Sequence, residues 1–554
     1  LTILGQDISA LKIISTEEDR GAASTLRDYI AKATGVTPEC IREHSGESYP
    51  YEIVVGVCNT RSPQSVTDRR AKLGDEGYMI YAEENRLYIS GATMRGTYYA
   101  VISFLEDYIG CRFFTEDCEV VLPAASLEIP AGTDEFFVPK LFYRAEYADF
   151  CNNNRYAPKH KLNAYLSGNL DGYGGGVSYA AGAFVHTFRQ LAEMKEYKVG
   201  DQPCLTDPAV YETVLKNVRA WLDSNRNATI ISVSPNDSYT DQAGCQCANC
   251  KALDDQYGSP MGSLLTFVNR IARDIREDYP QVYVETLAYH YTQTPPVGLV
   301  AEDNVLIRLC PSACCMVHGI AGCERGDTFR ADLTAWSKIC KNLSIWHYSV
   351  NFGNYLLPLP NLFSIYDDVQ LYLQNGVVSI FDEAAYNSRT GEFEELRSYL
   401  FSKLMWNPDM TREEYERHMN EFLQYYYGDG WEYIRRYIDA TYTEIAGVAH
   451  FNHAANAETV YPVEKSDDSF AFLSAMYGLF EKAEAAATTP EEATRIRKSS
   501  VQALYLWLYR MDRSAPEDMK EKLAALIKEA HIAMSSEGRV VPAELPVRKP
   551  VRLW

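Results

Sequence analysis

Apolar residues recur at helical spacing over 17–34, where Ala22, Leu26, Tyr29, Ile30 and Ala33 share one face and Gly35 follows as a C-terminal stop. The pattern then shortens. Tyr51-Glu-Ile-Val-Val-Gly56 reads as a buried strand, and 75–81 with 86–90 as a hairpin. Gly91-Ala-Thr-Met-Arg-Gly96 opens an apolar helix over 97–108. It lacks the Lys-Ser/Thr of a phosphate loop and the full dinucleotide fingerprint, so a tight strand-to-helix turn is its expected role. Residues 1–135 thus predict a small N-terminal α/β domain, followed by a proline-rich hinge over 123–139.

Beyond the hinge, strands are predicted over 141–147, 162–166, 183–187, 229–234, 282–289, 304–309, 343–348 and 377–381. Helices over 208–224, 263–278, 329–342 and 362–374 fall between several of them. That rhythm within 139–395 is the one expected of a (β/α)8 TIM-like barrel. The remainder, 396–554, predicts a helical C-terminal region with helices over 393–405, 411–427, 429–449, 467–487, 490–512 and 515–536 and a linker near 450–466. The fold class is α/β.

Polar and aromatic residues collect where these strands end. Glu146 follows the first, His186 the third, Asn236 and Asp237 the fourth, and Tyr289, His290 and Tyr291 the fifth. Trp346 and Tyr348 close the seventh, Asp382 and Glu383 the eighth. The C-terminal ends of parallel barrel strands form the face on which such barrels do chemistry. Carboxyl, amide, imidazole and aromatic groups gathered there describe a carbohydrate-like site.

The charge balance narrows the partners. A net charge of −22 and a pI near 5.0 disfavour nucleic acid and anionic membrane surfaces. No apolar run reaches the roughly 20 residues of a membrane span. The 40 tyrosines suit stacking on sugar rings and packing equally well. Nine of the 14 cysteines lie between Cys204 and Cys340. Cys245, Cys247 and Cys250 have the spacing of a zinc knuckle and need a fourth ligand, for which Cys310, Cys314, Cys315, His318 and Cys323 are candidates. A structural zinc there competes with disulfides and with free thiols, and a catalytic zinc is not expected of a thiolate-rich site.

Several long motifs carry a resemblance. They are Ser232-Val-Ser-Pro-Asn-Asp237, Cys245-x-Cys-x-x-Cys250, Gly262-Ser-Leu-Leu-x-Phe-Val-Asn269 and Thr286-Leu-Ala-Tyr-x-Tyr-Thr292. With them go Arg308-Leu-Cys310 and Cys314-Cys315, Asn351-Phe through Leu357-Pro-x-Pro-Asn361, and Gly391-Glu-x-x-Glu-Leu-Arg-Ser-Tyr-Leu400 with Leu404-Met-Trp-Asn-Pro408. Together they resemble glycoside hydrolase family 163, bacterial endo-β-N-acetylglucosaminidases of complex N-glycans. The N-terminal unit is similar to the small domain that precedes the barrel in hexosaminidases and α-glucuronidases.

The resemblance implies a retaining, substrate-assisted cleavage needing no cofactor. The sugar's own acetamido oxygen attacks, while the enzyme supplies an acid and a group that orients the amide. Asn236 as the amide holder and Asp237 as the acid form one candidate pair. Asp382 and Glu383 form a rival pair, and there the sequence departs from the family's Glu-Gln. Glu146, His186, Tyr289, His290, Tyr291, Trp346 and Tyr348 are the candidate sugar contacts. An exo-acting hexosaminidase or glucuronidase-like hydrolase and a non-catalytic glycan-binding protein are the alternatives. The chain opens at Leu1 without a signal-peptide pattern. Export to the cell surface or periplasm with a leader removed is the expectation for glycan foraging, and the residues leave a cytoplasmic location open.

Overall fold

A computed structural model describes residues 1–44, 47–124, 126–164, 166, 168–196, 201–238, 244–446, 450–455, 466–511 and 515–545. These fall into two compact units: Leu1–Phe142 with Asn152–Gly176, and Tyr143–Cys151 with Val177–Trp554. Most of the expected linker near 450–466 lies outside the described residues, as do Tyr165 and Ser167 around the expected second barrel strand.

The first unit is built on a six-stranded sheet. Its strands are β1 (Lys12–Ser15), β2 (Glu39–Arg42), β3 (Glu52–Val55), β4 (Tyr78–Glu83), β5 (Arg86–Gly91) and β6 (Asp134–Phe137), in the order β6-β4-β5-β3-β1-β2. The β4–β5 hairpin and the β6 edge are antiparallel, and the other pairings are parallel. Helix α1 (Arg20–Thr34) buries the predicted face, and Gly35 ends it at φ 75°. The glycine pair behaves as a tight turn. Thr93 caps helix α2 (Met94–Phe104) by accepting from Gly96 N–H at 3.1 Å, and a Cβ on Gly91 would meet the Gly96 backbone.

The second unit carries a curled, all-parallel sheet of six strands: β7 (Tyr143–Tyr147), β8 (Ile230–Ser232), β9 (Tyr283–Ala288), β10 (Val305–Leu309), β11 (Asn342–Tyr348) and β12 (Val377–Glu383). Their order is β7-β12-β11-β10-β9-β8, so the first strand in the chain pairs with the last, as in a barrel wound in one direction. Helices α3 (Pro208–Ser224), α4 (Ala248–Tyr257), α5 (Met261–Ile275), α6 (Asp327–Trp336) and α7 (Ser364–Gln374) fall between these strands along the chain.

The expected strand over 183–187 does not form. Ala181 and His186 take left-handed φ values of 54° and 57°, which extended pairing cannot accommodate. A single parallel bridge, Tyr179 to Ile230, replaces a ladder. The Thr187 hydroxyl then donates to Ser232 O at 2.8 Å and accepts from Ser234 N–H at 3.1 Å, so side-chain hydrogen bonds hold the segment beside β8. Among the described residues the sheet is therefore a half-barrel, not the closed eight-stranded barrel the spacing predicts.

Beneath the strand ends lies a buried ionic knot. Arg308 donates to Glu285 Oε2 at 2.6 and 3.0 Å and to the Tyr179 hydroxyl at 2.6 Å, and that hydroxyl donates to Glu285 at 2.6 Å. Phe184, Trp346 and Phe381 pack over the guanidinium at 5.0–5.9 Å. By register Glu285, Arg308 and Trp346 share one face of the sheet, so the knot packs on that side of it.

The C-terminal region is helical as predicted through α8 (Glu394–Trp406), α9 (Arg412–Tyr427), α10 (Trp431–Ala446) and α11 (Asp467–Ala486). The expected helix over 490–512 is two, α12 (Pro490–Ser499) and α13 (Val501–Met511). The last helix, α14 (Glu517–Glu529), stops seven residues short of the expected 536. His531 turns at φ 56°, and a small hairpin follows, β13 (Met534–Ser536) with β14 (Arg539–Val540), turning at Gly538 with φ 68°.

Candidate active site

A cavity of about 400 Å³ opens at the C-terminal ends of β8–β12. That is ample for a sugar unit. Asp237 reaches it from the loop after β8, Tyr289 from just past β9, Cys310 from just past β10, Trp346 and Tyr348 from β11, and Glu383 from the last position of β12. Two strand-end carboxyl groups thus line one cavity, with β9, β10 and β11 between their strands in the sheet order.

Sheet register decides which member of the eighth-strand pair faces in. Glu383 lies level with Tyr348 and Tyr147, and Phe381 with Trp346, so these share the concave face. Asp382 lies level with His347 and Glu146 on the opposite face. There it is fully buried under the helices: Ser398 of α8 donates to Glu146 Oε1 at 2.7 Å, and His347 Nδ1 meets the Tyr372 hydroxyl of α7 at 2.9 Å. Burial pushes the Asp382 carboxyl up to about 6 and Glu146 well above the carboxylate range, with Asp382 adding to the latter. Glu146 and Asp382 are thus a structural carboxyl pair, and the structure does not bring them to the cavity.

Asn236 also turns away from it. Its Oδ1 accepts from Arg189 N–H at 2.8 Å, and its Nδ2 donates to Asp201 O at 2.8 Å. Its backbone exchanges two further hydrogen bonds with the Gln202 amide at 2.7 and 3.0 Å. At 3% exposure it braces the loop, and its amide is not directed at a ligand. The adjacent Asn236–Asp237 dyad expected from the sequence therefore separates, leaving Asp237 alone at the cavity wall.

Glu383 is the electrostatic focus. Burial pushes its carboxyl up to about 8, the Trp346 indole N–H opposes this by donating to Oε2 at 2.8 Å, and Glu537, Asp382 and Asp237 add to the rise. Such a group holds its proton at neutral pH. His186 donates from Nδ1 to Pro235 O at 2.8 Å, because a carbonyl can only accept, so Nε2 remains for a ligand. Tyr289, Trp346 and Tyr348 line the cavity, whereas His290 and Tyr291 are absent from its described wall.

Among the wall residues that sequence reasoning missed are Phe352, His453 and Glu537. Phe352 lies in a motif read only for its resemblance. His453 stacks on Tyr348 at 4.8 Å, and burial lowers its imidazole to about 4. Glu537 accepts from the Tyr386 hydroxyl at 2.9 Å and sits in the hairpin, where the helix pattern was extended too far. The Glu537-Gly538 dipeptide is the turn signal that could have revealed it.

The cysteine trio finds its fourth partner in Cys204, not in the 310–323 stretch. The sulfurs of Cys204, Cys245, Cys247 and Cys250 all lie within 4.8 Å of one another, with Cys204 at 3.6 Å from Cys247 and 3.9 Å from Cys250. A disulfide needs about 2.05 Å. Cys247 caps α4, and the Cys250 N–H and the Thr206 hydroxyl lower its thiol to about 6.

Comparison with known proteins fits this picture. Residues 113–439, more than half the chain, match the family described as a domain of unknown function, DUF4838. Residues 7–106 match glycosyl hydrolase family 20, domain 2. No curated protein matches the chain in sequence. Among solved structures it is similar to a family GH115 4-O-methyl-α-glucuronidase with specificity for decorated arabinogalactans, at 12% identity and TM-score 0.59, over 98% of this chain and 81% of that one. Weaker likenesses are CpGH84B (11% identity, TM-score 0.46, 94% and 93% covered) and a GH138 enzyme targeting pectin rhamnogalacturonan II (9%, 0.43, 94% and 73%). The likeness to the α-glucuronidase is one of overall fold, and the chain belongs to the DUF4838 family.

Proposed function

We propose that this chain is a retaining, substrate-assisted glycosidase cleaving β-N-acetylglucosaminide linkages of complex N-glycans, an endo-β-N-acetylglucosaminidase of the family 163 type. The observation that carries the reading is the placement of Glu383: a strand-end carboxyl bonded to the Trp346 indole on an aromatic-lined cavity, where burial raises it to about 8. Glu383 gives its proton to the glycosidic oxygen as the C1–O bond breaks. The substrate's acetamido oxygen closes on C1 from the other side, and Asp237 orients the acetamide through its N–H. The Glu383 carboxylate then takes a proton from the water that attacks C1, which restores the acid and retains configuration. Trp346, Tyr348, Phe352 and Tyr289 offer rings for the sugar faces, and His186 Nε2 a partner for a hydroxyl.

A glucuronidase-like reading has the structural likeness behind it and the wall chemistry against it. Asp237, Glu383 and Glu537 face the cavity, and no lysine or arginine is among the described lining residues to hold a uronate carboxylate. No cofactor enters the chemistry. The four-cysteine site is proposed to hold a structural zinc, because closed thiolate sites are structural. No helix among the described residues is long and apolar enough to cross a membrane. Export of the chain to meet an extracellular oligosaccharide is part of the proposal.

The pH profile tests the assignment. The acid form of Glu383 is populated below about pH 8 and lost above it, so kcat/KM falls about tenfold per unit on the alkaline side. Retention of full activity two units above that point would remove Glu383 as the acid. Stability runs in the same sense. The group is protonated in the folded chain and ionised in the unfolded one between roughly pH 4 and 8, so its contribution declines as pH rises through that window.

A further inference from the structure

Four of the side chains left unused by this chemistry meet at one point. Cys315, His318 and Cys323 come from the loop that follows β10, and His450 from the stretch after α10. Their ligand atoms all lie within 4.8 Å of one another. Cys315 Sγ is 3.3 Å from His318 Nδ1, Cys323 Sγ is 3.4 Å from His450 Nδ1, and the two imidazoles cross at 73° with centroids 4.8 Å apart. Zinc–sulfur and zinc–nitrogen bonds of about 2.3 and 2.0–2.1 Å imply tetrahedron edges of roughly 3.3–3.8 Å. Both short sulfur–nitrogen separations fall in that range. Cys315 and Cys323 are 1% and 4% exposed, which suits a closed structural site and disfavours an open catalytic one.

The loop is independently prepared for the role. The Arg330 guanidinium donates to Ile320 O and, at 2.9 Å, to Cys323 O, while the buried Asp368 carboxyl accepts from Ile320 N–H at 2.5 Å. His450 begins a short stretch that docks in two places. Met316 N–H donates to Phe451 O at 2.7 Å, and Phe352 N–H to His453 O at 2.6 Å. His453, three residues beyond His450, is the ring stacked on Tyr348 at the cavity wall.

We propose that Cys315, His318, Cys323 and His450 bind a second zinc ion, distinct from the four-cysteine site, which ties 450–455 to the loop after β10 and so fixes His453 in the cavity wall. Zinc binding by these ligands stands apart from the glycosidase reading, because its test reads metal and not turnover.

The test is zinc content of the full chain purified without a polyhistidine tag, with hydrogen exchange as the second readout. Wild type is expected to carry two zinc equivalents. His450→Asn should lose one and Cys250→Ser the other. His450→Asn should also raise exchange in peptides covering 311–326 and 450–455 and leave those of α4 unchanged. Should His450→Asn fail to fold, cobalt(II) loaded into the wild type gives a parallel reading, since a site of two thiolates and two imidazoles and a site of four thiolates contribute separate visible bands. A single equivalent that Cys250→Ser removes completely, two equivalents unchanged in His450→Asn, or a Cys315–Cys323 disulfide in wild type would each overturn the proposal.

Discussion

Glu383→Gln is expected to slow cleavage of an N-acetylglucosaminide with a sugar leaving group by roughly 10²–10⁴-fold, the usual worth of a positioned acid. Gln keeps an acceptor for the Trp346 indole and the size of the side chain, so oligosaccharide binding should persist. A proton donor matters in proportion to the basicity of the leaving oxygen. The loss should therefore shrink on an aryl glycoside whose phenolate leaves unaided, and the alkaline limb of the pH profile should disappear. Asp382→Asn supplies the control. Its carboxyl lies on the helix-facing side of β12, level with Glu146 and not with Tyr348, so turnover should stay close to wild type. Equal losses from the two substitutions would contradict the division made by strand register.

Asp237→Asn is expected to cost roughly 10²–10³-fold in kcat, the scale seen when one preorganised electrostatic contact to the transition state is removed. As the acetamido oxygen bonds to C1, positive charge develops on the amide nitrogen, and Asp237 is the candidate group to face it. Substrates with successively fluorinated acetyl groups test this directly, since fluorine weakens the carbonyl nucleophile. Wild-type rates should fall steeply along the series and Asp237→Asn should flatten the slope. A wild type indifferent to fluorination would exclude participation by the acetamide.

Much of the scaffold was legible because buried parallel strands announce themselves as short apolar runs. β7–β12 all lie within or close to predicted spans, and the polar groups at their ends mark the cavity side. What the pattern could not supply was direction. Asp382 and Glu383 are neighbours in sequence and sit on opposite faces of β12, and only the alternation with Trp346 and Tyr348 on β11 separates them. Asn236 and Asp237 present the same difficulty in a loop. The amide is claimed by Arg189 and Asp201, partners some 35–47 positions away. The segment over 183–187 has strand-like composition, but left-handed backbone at His186 and the Thr187 side-chain bonds to Ser232 and Ser234 win over pairing.

The long-range pieces were hidden for another reason. His453 and Glu537 reach the cavity from the C-terminal region, through backbone bonds to Phe352 that no local period encodes. Cys204 lies 41 positions before Cys245, and spacing arguments favour near neighbours. The cysteines and histidine offered instead for that fourth ligand include three members of a separate cluster, Cys315, His318 and Cys323. Its last member, His450, lies more than 120 positions beyond Cys323.

The central claim is that the Glu383–Asp237 cavity cleaves an N-glycan at an N-acetylglucosamine linkage, and mass spectrometry of a biantennary N-glycan incubated with the protein near pH 6 tests it most directly. The account predicts that wild type splits the glycan into two fragments, one of which carries N-acetylglucosamine at its new reducing end, and that Glu383→Gln binds the same glycan and leaves it intact. Stable binding by wild type with no cleaved product, or equal product from both proteins, would contradict it.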